Sequence, residues 1–225
     1  MKIITIIPAY NEEKHIKNVV EGALKYSDVM VVDDGSKDHT SNKALDAGAK
    51  VINHHKNLGK GAAIKSGINN ALEFEYDILI LIDGDGQHNP EHIPLLASFI
   101  SEYGIVLGSR FKKKDPEYMP IQRRLSNKIT TKLIRYVTGY RLTDSQSGFR
   151  AISKDSSRLF LDIKYDDYIY ESEMLYIASK NNIKIKEIAI PSTYGLEKSY
   201  VSTIHVLRYM LFIMKLFARK LKNFI

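Results

Sequence analysis

The chain has 225 residues, 44% of them hydrophobic and 26% charged, which suits one globular domain with a core of its own. It holds no cysteine, which excludes disulfides and thiolate metal sites and fits a reducing compartment. The formal charge of +7 is uneven: residues 110–135 carry nine Lys or Arg against Asp115 and Glu117, six more follow Glu197 with no acid, and the remainder is mildly acidic, so an anionic partner would be met at these two segments.

Lys2 leads directly into a short apolar run, residues 3–7, that Pro8 ends, so no leader peptide is expected. No uncharged apolar stretch approaches the roughly 20 residues of a bilayer span, so the chain is not expected to cross a membrane by itself. Residues 3–7, 29–33, 50–53 and 77–82 read as strands, mostly apolar on both faces as buried parallel strands are. Between them, residues 12–25, 38–47 and 60–73 have helical spacing. This alternation predicts an α/β fold: a doubly wound, mostly parallel sheet with helices on both faces and ligands at the carboxyl ends of its strands. The chemically rich segments 8–13, 33–40, 83–88 and 108–111 all follow such ends.

The second half is less regular. Residues 121–137 form an amphipathic helix with Leu125, Ile129, Leu133 and Tyr136 on one face and Arg124, Lys128, Lys132 and Arg135 on another. A loop at 143–150, a helix at 171–180, a strand at 183–190 and a long helix from about residue 202 complete the chain. On the last helix Arg208, Lys215, Arg219 and Lys222 share a narrow sector amid apolar residues. That pattern fits a membrane interface, with core packing or a subunit contact as alternatives.

Asp83-Gly84-Asp85 follows the run Ile78-Leu79-Ile80-Leu81-Ile82. Two carboxylates at a strand end point into one space, and desolvating them together is costly unless a cation or proton compensates. Their hard oxygens suit Mg²⁺ or Mn²⁺, which would also bind a diphosphate, and Gln87 and His88 would complete the shell. Turns also use Asp-Gly freely, so the pair alone is a weak signal. Asp33-Asp34-Gly35-Ser36 would accept hydrogen bonds from a base or ribose, with Ser36 or Asp38 capping the next helix. In Asn57-Leu58-Gly59-Lys60-Gly61-Ala62-Ala63, backbone N–H groups and Lys60 would meet phosphate oxygens, although the spacing is neither a P-loop nor a dinucleotide fingerprint.

Taken in order, Ile7-Pro8-Ala9-Tyr10-Asn11-Glu12-Glu13, Val31-Val32-Asp33-Asp34-Gly35-Ser36, Asn57-Leu58-Gly59-Lys60-Gly61 and Asp83-Gly84-Asp85-Gly86-Gln87-His88 resemble family 2 glycosyltransferases. The resemblance continues through Gly108-Ser109-Arg110-Phe111 and Asp144-Ser145-Gln146-Ser147-Gly148-Phe149-Arg150. It is greatest to the dolichol-phosphate mannosyltransferase branch, which glycosylates polyprenyl phosphates on the cytosolic membrane face. The resemblance implies a GT-A fold. It also implies a nucleotide-sugar site at Pro8, Tyr10, Asn11, Glu12, Asp33, Lys60 and Asp83, with Asp83, Asp85 and Gln87 around the cation. Asp85, Arg110 and Asp144 would be the catalytic set. Arg110, Arg124 (or its neighbour Arg123) and Lys198 would bind the acceptor. The family has a basic residue near 194–199, where this chain has Lys198-Ser199 and no arginine. The multi-span C-terminal extension of some relatives is also missing, so membrane contact would rest on amphipathic helices.

The expected organisation is a GT-A domain over residues 1–200, its donor half about 1–110 and its acceptor half about 111–200, then a basic amphipathic helix over 201–225. The expected reaction is metal-dependent transfer of a hexose from a GDP- or UDP-linked donor to a polyprenyl phosphate, with inversion, by a peripheral protein on the cytosolic membrane face. The alternatives are transfer to a hydroxyl of a glycan or glycolipid precursor, and a non-catalytic membrane-surface binding protein. A hydroxyl acceptor would need a base, for which Asp144, Glu171 and Glu173 are the candidates. A phosphate acceptor is already anionic and needs orientation by arginines instead. Nucleic acid is not an expected partner, because no groove-reading motif or aromatic–basic interleaving is present. The oligomeric state is left open.

Overall fold

The computed structural model describes residues 1–113, 119–191 and 203–222, with side chains of the last segment described for 208–220. Seven strands form one sheet: β1 (Ile3–Ala9), β2 (Asp28–Asp33), β3 (Lys50–Asn53), β4 (Ile78–Leu81), β5 (Ile105–Ser109), β6 (Arg150–Ser153) and β7 (Ile185–Ala189). Their spatial order is β3-β2-β1-β4-β6-β5-β7, and every pairing is parallel except those of β6, which runs against both β4 and β5. The chain winds outward from β1 through β2 to β3, then returns to lay β4 on the other side of β1. The carboxyl ends of β1 and β4 therefore flank a topological switch point, where open α/β sheets bind ligands.

The helices are α1 (Ile16–Ala23), α2 (Thr40–Asp46), α3 (Lys60–Glu73), α4 (Ile93–Ala97), α5 (Ile121–Thr138), α6 (Lys154–Arg158), α7 (Ile169–Lys180) and α8 (Thr203–Lys222). The period of two divides each central strand between two apolar layers. Ile4, Ile6, Met30, Val32, Leu79 and Leu81 join one core with residues of α3, α5, α7 and α8. Ile7, Val29, Val31, Ile78 and Ile80 join the other with residues of α1 and α4. The doubly wound sheet is the one the β-branched runs predict. β6 was expected as the end of a loop; it is a four-residue strand whose first residue is the fully buried Arg150.

Two helices differ from simple amphipathic expectation. In α5 the buried residues include Asn127, Thr130 and Thr131 beside Ile134 and Val137, whereas Ile121, Leu125 and Ile129 are 80%, 57% and 50% exposed. The helix is turned so that its polar side packs on the loop before β6. In α8, Phe212, Ile213 and Leu216 are buried in the first core, while Met210, Leu211 and Met214 are exposed. Arg208 of its basic sector pairs with Asp167 at 3.2 Å, and Tyr209 shares a 3.0 Å hydrogen bond with Ser172 of α7.

Candidate active site

The loops after β1 and β2 are clipped together, and two of the expected donor residues, Asn11 and Asp33, take part with their side chains. Asn11, held at φ +56°, donates its N–H to the Ser36 hydroxyl at 2.9 Å, and its Oδ1 accepts the Lys37 N–H at 2.8 Å. The Glu12 N–H donates to the Thr40 hydroxyl at 2.8 Å. Asp33, buried at the end of β2, accepts the Ser36 N–H at 2.9 Å. Pro8 is buried, Tyr10 and Glu12 are half-buried, and all stand on the same sheet end as Asp33. Asp38 caps no helix directly: its Oδ1 accepts both the N–H and hydroxyl of Thr40, at 3.0 and 2.5 Å. Burial would raise its pKa, but those bonds hold it below the ordinary carboxylate value.

The glycine loop does not present the anion cradle expected of its backbone. Leu58 and Gly59 donate their N–H groups to the two oxygens of Asp34, at 2.9 and 2.7 Å. Gly61 and Ala62 donate theirs to the Asp166 carbonyl, at 2.7 and 3.3 Å. Asp34 also meets His54 Nδ1 at 2.7 Å, and His54 Nε2 meets the Ser66 hydroxyl at 2.9 Å. Asp34 is thus the buried anion at the start of α3, a place phosphate oxygens would otherwise take. Gly59 is required there, since its φ is +104° and a Cβ would lie 2.2 Å from the Asp166 carbonyl oxygen.

What this tethering leaves to the site is the Lys60 side chain. Its Nζ lies 2.6 Å from Asp83 Oδ1 and 2.9 Å from Glu171 Oε1. Burial alone would favour the neutral amine, but the two carboxylates hold Lys60 charged, well above the ordinary lysine pKa. Asp83 is likewise opposed by burial and held below its ordinary value by Lys60 first, with Arg110 contributing. Its other face is pressed on the 144–150 loop: a Cβ on Gly148 would lie 2.4 Å from Asp83 Oδ2. Asp85 is half-buried and accepts the Gln87 N–H at 3.0 Å, and Gln87 is half-buried beside it. His88 is buried against Phe149, with ring centroids 5.5 Å apart. Burial, then the Arg110 charge, push His88 down to about 4, so it is neutral at pH 7, and its Nδ1 has no hydrogen-bond partner.

Arg110 leaves the end of β5 and lays a fork on Asp144, with Nε to Oδ2 at 2.7 Å and Nη2 to Oδ1 at 2.9 Å. Asp144 is fully buried and also accepts from the Arg110 N–H at 3.2 Å, Asn127 Nδ2 at 2.8 Å and the Gln146 N–H at 3.3 Å. Burial would raise its pKa, yet Arg110 foremost holds it below the ordinary value. So enclosed, Asp144 orients Arg110 and has no exposed surface with which to take a proton from an acceptor.

Behind it, Glu187 of β7 accepts the N–H groups of Thr143 and Asp144 at 2.8 and 3.0 Å. Arg150 donates to three carbonyls, those of Ser147 (2.9 Å), Glu171 (2.9 Å) and Ser145 (3.1 Å). Phe149 and Arg150 therefore fix the loop to the sheet and to α7. Sequence reading missed Asn127, Gly148 and Glu187. A charged residue inside the otherwise apolar end of β7 was the available signal for Glu187.

Of the two acids on α7, Glu171 faces the site through Lys60. Glu173 is buried elsewhere, raised by burial, with its Oε2 lacking a partner. Arg123 and Arg124 are both half-buried on the first turns of α5. Lys198 lies outside the described residues.

Among the described residues no three His, Cys, Asp or Glu side chains are gathered closely enough to hold a metal ion by themselves. The donor set still fits a divalent cation that shares its shell with a diphosphate. Asp83 already holds a cationic group at 2.6 Å, and Asp85 and Gln87, half-buried two and four residues on, are the residues that would supply the further hard oxygens.

With this geometry in view, comparison with known proteins is decisive. Residues 4–160 match the model of glycosyl transferase family 2. The chain belongs to that family. It is 37% identical over 217 residues to the UDP-N-acetylglucosamine–dolichyl-phosphate N-acetylglucosaminyltransferase of Methanococcus voltae, covering 85% of this chain and 86% of that one. It is 31% identical over 201 residues to the undecaprenyl-phosphate mannosyltransferase of Micrococcus luteus, covering 84% and 83%. Among solved structures, glucosyl-3-phosphoglycerate synthase of Mycobacterium tuberculosis in complex with Mn²⁺ and UDP-glucose aligns with a TM-score of 0.72 at 21% identity, covering 94% of this chain and 78% of that one. At that identity the likeness speaks for the fold, and the fold is GT-A, as the resemblance implied.

Proposed function

We propose that this glycosyltransferase moves a hexose from a UDP- or GDP-linked donor to a polyprenyl phosphate, with inversion, at the cytosolic surface of a membrane. One observation carries the choice of acceptor. Two of the carboxylates placed to act as a base are already committed to cations, Asp144 to Arg110 at 2.7 Å and Glu171 to Lys60 at 2.9 Å, and Glu173 lies elsewhere. A hydroxyl nucleophile needs a base, whereas a phosphate monoester is ionised near neutral pH and needs only to be held in line. Arg110, oriented by Asp144, is built for that, since a fixed guanidinium presents paired donors to phosphate oxygens. Arg124 and Lys198 are its proposed partners. The polyprenyl-phosphate transferases among the relatives support the same acceptor.

On the donor side, Pro8, Tyr10, Glu12 and Asp33 would hold the nucleoside, with Asn11 fixing their loop. Asp83, Asp85 and Gln87 would hold Mg²⁺ or Mn²⁺ beside the diphosphate. A cation there supplies Lewis-acid stabilisation of the charge that develops on the leaving diphosphate. Lys60 brings a second positive charge to the same place. For the membrane, α5 turns Ile121, Leu125 and Ile129 outward among Lys128, Lys132 and Arg135, an arrangement that suits an anionic bilayer surface. No helix of the described residues is long and apolar enough to cross a membrane.

The test is transfer from labelled UDP-GlcNAc, UDP-glucose and GDP-mannose to dolichyl or undecaprenyl phosphate in detergent, with EDTA, Mg²⁺ or Mn²⁺. Label should enter the organic phase with at least one donor and only when metal is present. Transfer to a soluble hydroxyl with none to either lipid would overturn the acceptor assignment. Transfer undiminished in EDTA would overturn the metal.

A further inference from the structure

Lys60 and the proposed cation are rivals for the same carboxylate. Its ammonium lies 2.6 Å from Asp83 Oδ1, and Gly148 packs against the same carboxylate so closely that an added Cβ would lie 2.4 and 2.6 Å from its two oxygens. A divalent ion at Asp83 meets the ammonium at the same carboxylate, and the two like charges repel each other. The Lys60 backbone cannot yield, since the preceding N–H groups are tied to Asp34 and the following ones to the Asp166 carbonyl. Only the side chain can swing, and Glu171 is a second carboxylate already in contact with it at 2.9 Å. Glu171 stays in place because Arg150 binds its carbonyl.

We propose that Lys60 is a built-in counter-cation that keeps Asp83 closed to divalent metal until a nucleoside diphosphate arrives with it. The diphosphate supplies the negative charge that lets both cations coexist. Lys60 then leaves Asp83, keeps Glu171 and faces the phosphates. The consequence is a loading order: metal and donor enter together, and metal alone binds poorly. By linkage, the nucleotide must tighten metal binding as much as metal tightens nucleotide binding. The inference rests on the donor-site reading above and adds to it how the site is loaded.

The experiment is Mn²⁺ titration followed by electron paramagnetic resonance of the free ion, on the whole chain, with and without UDP or GDP. In the wild type, nucleotide should tighten Mn²⁺ binding at least tenfold. Lys60→Met should tighten nucleotide-free Mn²⁺ binding at least tenfold and shrink that coupling. Arg110→Met removes another charge that acts on Asp83 but is bonded to Asp144, and it should change nucleotide-free Mn²⁺ binding less than threefold. The inference fails if Lys60→Met binds Mn²⁺ no tighter than wild type, or if Arg110→Met matches it, since the effect would then be a general field and not occupancy. It also fails, without any variant, if wild-type affinity for Mn²⁺ is the same with and without nucleotide. The nucleotide-free comparison uses no donor. A null result there with lipid transfer intact sinks the Lys60 role alone, and the expected result there with no transfer sinks the acceptor reading alone.

Discussion

At Gly148 a single methyl group decides whether Asp83 keeps its place. An added Cβ would lie 2.4 and 2.6 Å from the two carboxylate oxygens, so the carboxylate must rotate away while the backbone stays put. Gly148→Ala should therefore lower kcat/KM by about 100-fold, the usual scale for displacing a reacting group by an ångström, with little change in Tm. Equal losses of activity and stability would show that the glycine serves the fold. Asp144 gives a pH prediction of definite sign. Its folded pKa lies below that of the unfolded chain, so as pH falls the unfolded state takes up the proton first. The stabilisation is complete above the ordinary aspartate value of about 3.9 and is lost below it. Urea unfolding at pH 5 and pH 3 should show a steeper loss for wild type than for Asp144→Asn. At this scale the sequence was legible where chemistry and position coincided: Asp83 and Asp85 stood out because two acids follow five apolar residues. Gly148 was not, because its role depends on a contact made 65 residues away.

The helix α5 shows what periodicity can and cannot tell. Its spacing identified a helix with an apolar side but not which side faces the protein. Burial is settled by what the helix packs against: here Asn127 and Thr131 meet a polar loop, at Asp144 and at Ser145 (3.0 Å), while Ile134 and Val137 further along enter the core. Replacing Ile121, Leu125 and Ile129 together by Gln should leave Tm nearly unchanged, because exposed substitutions usually shift stability by under about 0.5 kcal/mol each. Sedimentation with anionic liposomes should fall at least tenfold, and undiminished binding would remove α5 from any membrane role. The strand β6 was hidden for the opposite reason. Four residues beginning with arginine carry no strand signature. Their pairing depends on β4 and β5 being held apart to receive them.

For the molecule as a whole, the first four strands and the three helices between them were readable because each strand is a local apolar run with a turn behind it, whereas the short helix α4 after β4 was not foreseen. The second half was less so: its order in the sheet departs from its order in the chain, and non-local pairing leaves little trace in sequence. The same holds for α8, whose basic sector suggested a surface helix although Phe212, Ile213 and Leu216 fill the core between the sheet and its helices. Each buried side chain of this kind contributes about 1.5–3 kcal/mol. Removing residues 203–225 should therefore lower the urea midpoint severely or leave the protein insoluble. A truncated chain that unfolds at the wild-type midpoint would refute this packing.

The reversed strand β6 sets a distance. It separates β4, which ends two residues before Asp83, from β5, which ends one residue before Arg110, and pairs Arg150 with both Leu81 and Leu107. Two inter-strand spacings hold the backbones of those two strand ends about 9.5 Å apart. The sheet itself is a spacer: the carboxylate and the guanidinium belong to different strands, and their side chains, not their backbones, set how closely they meet.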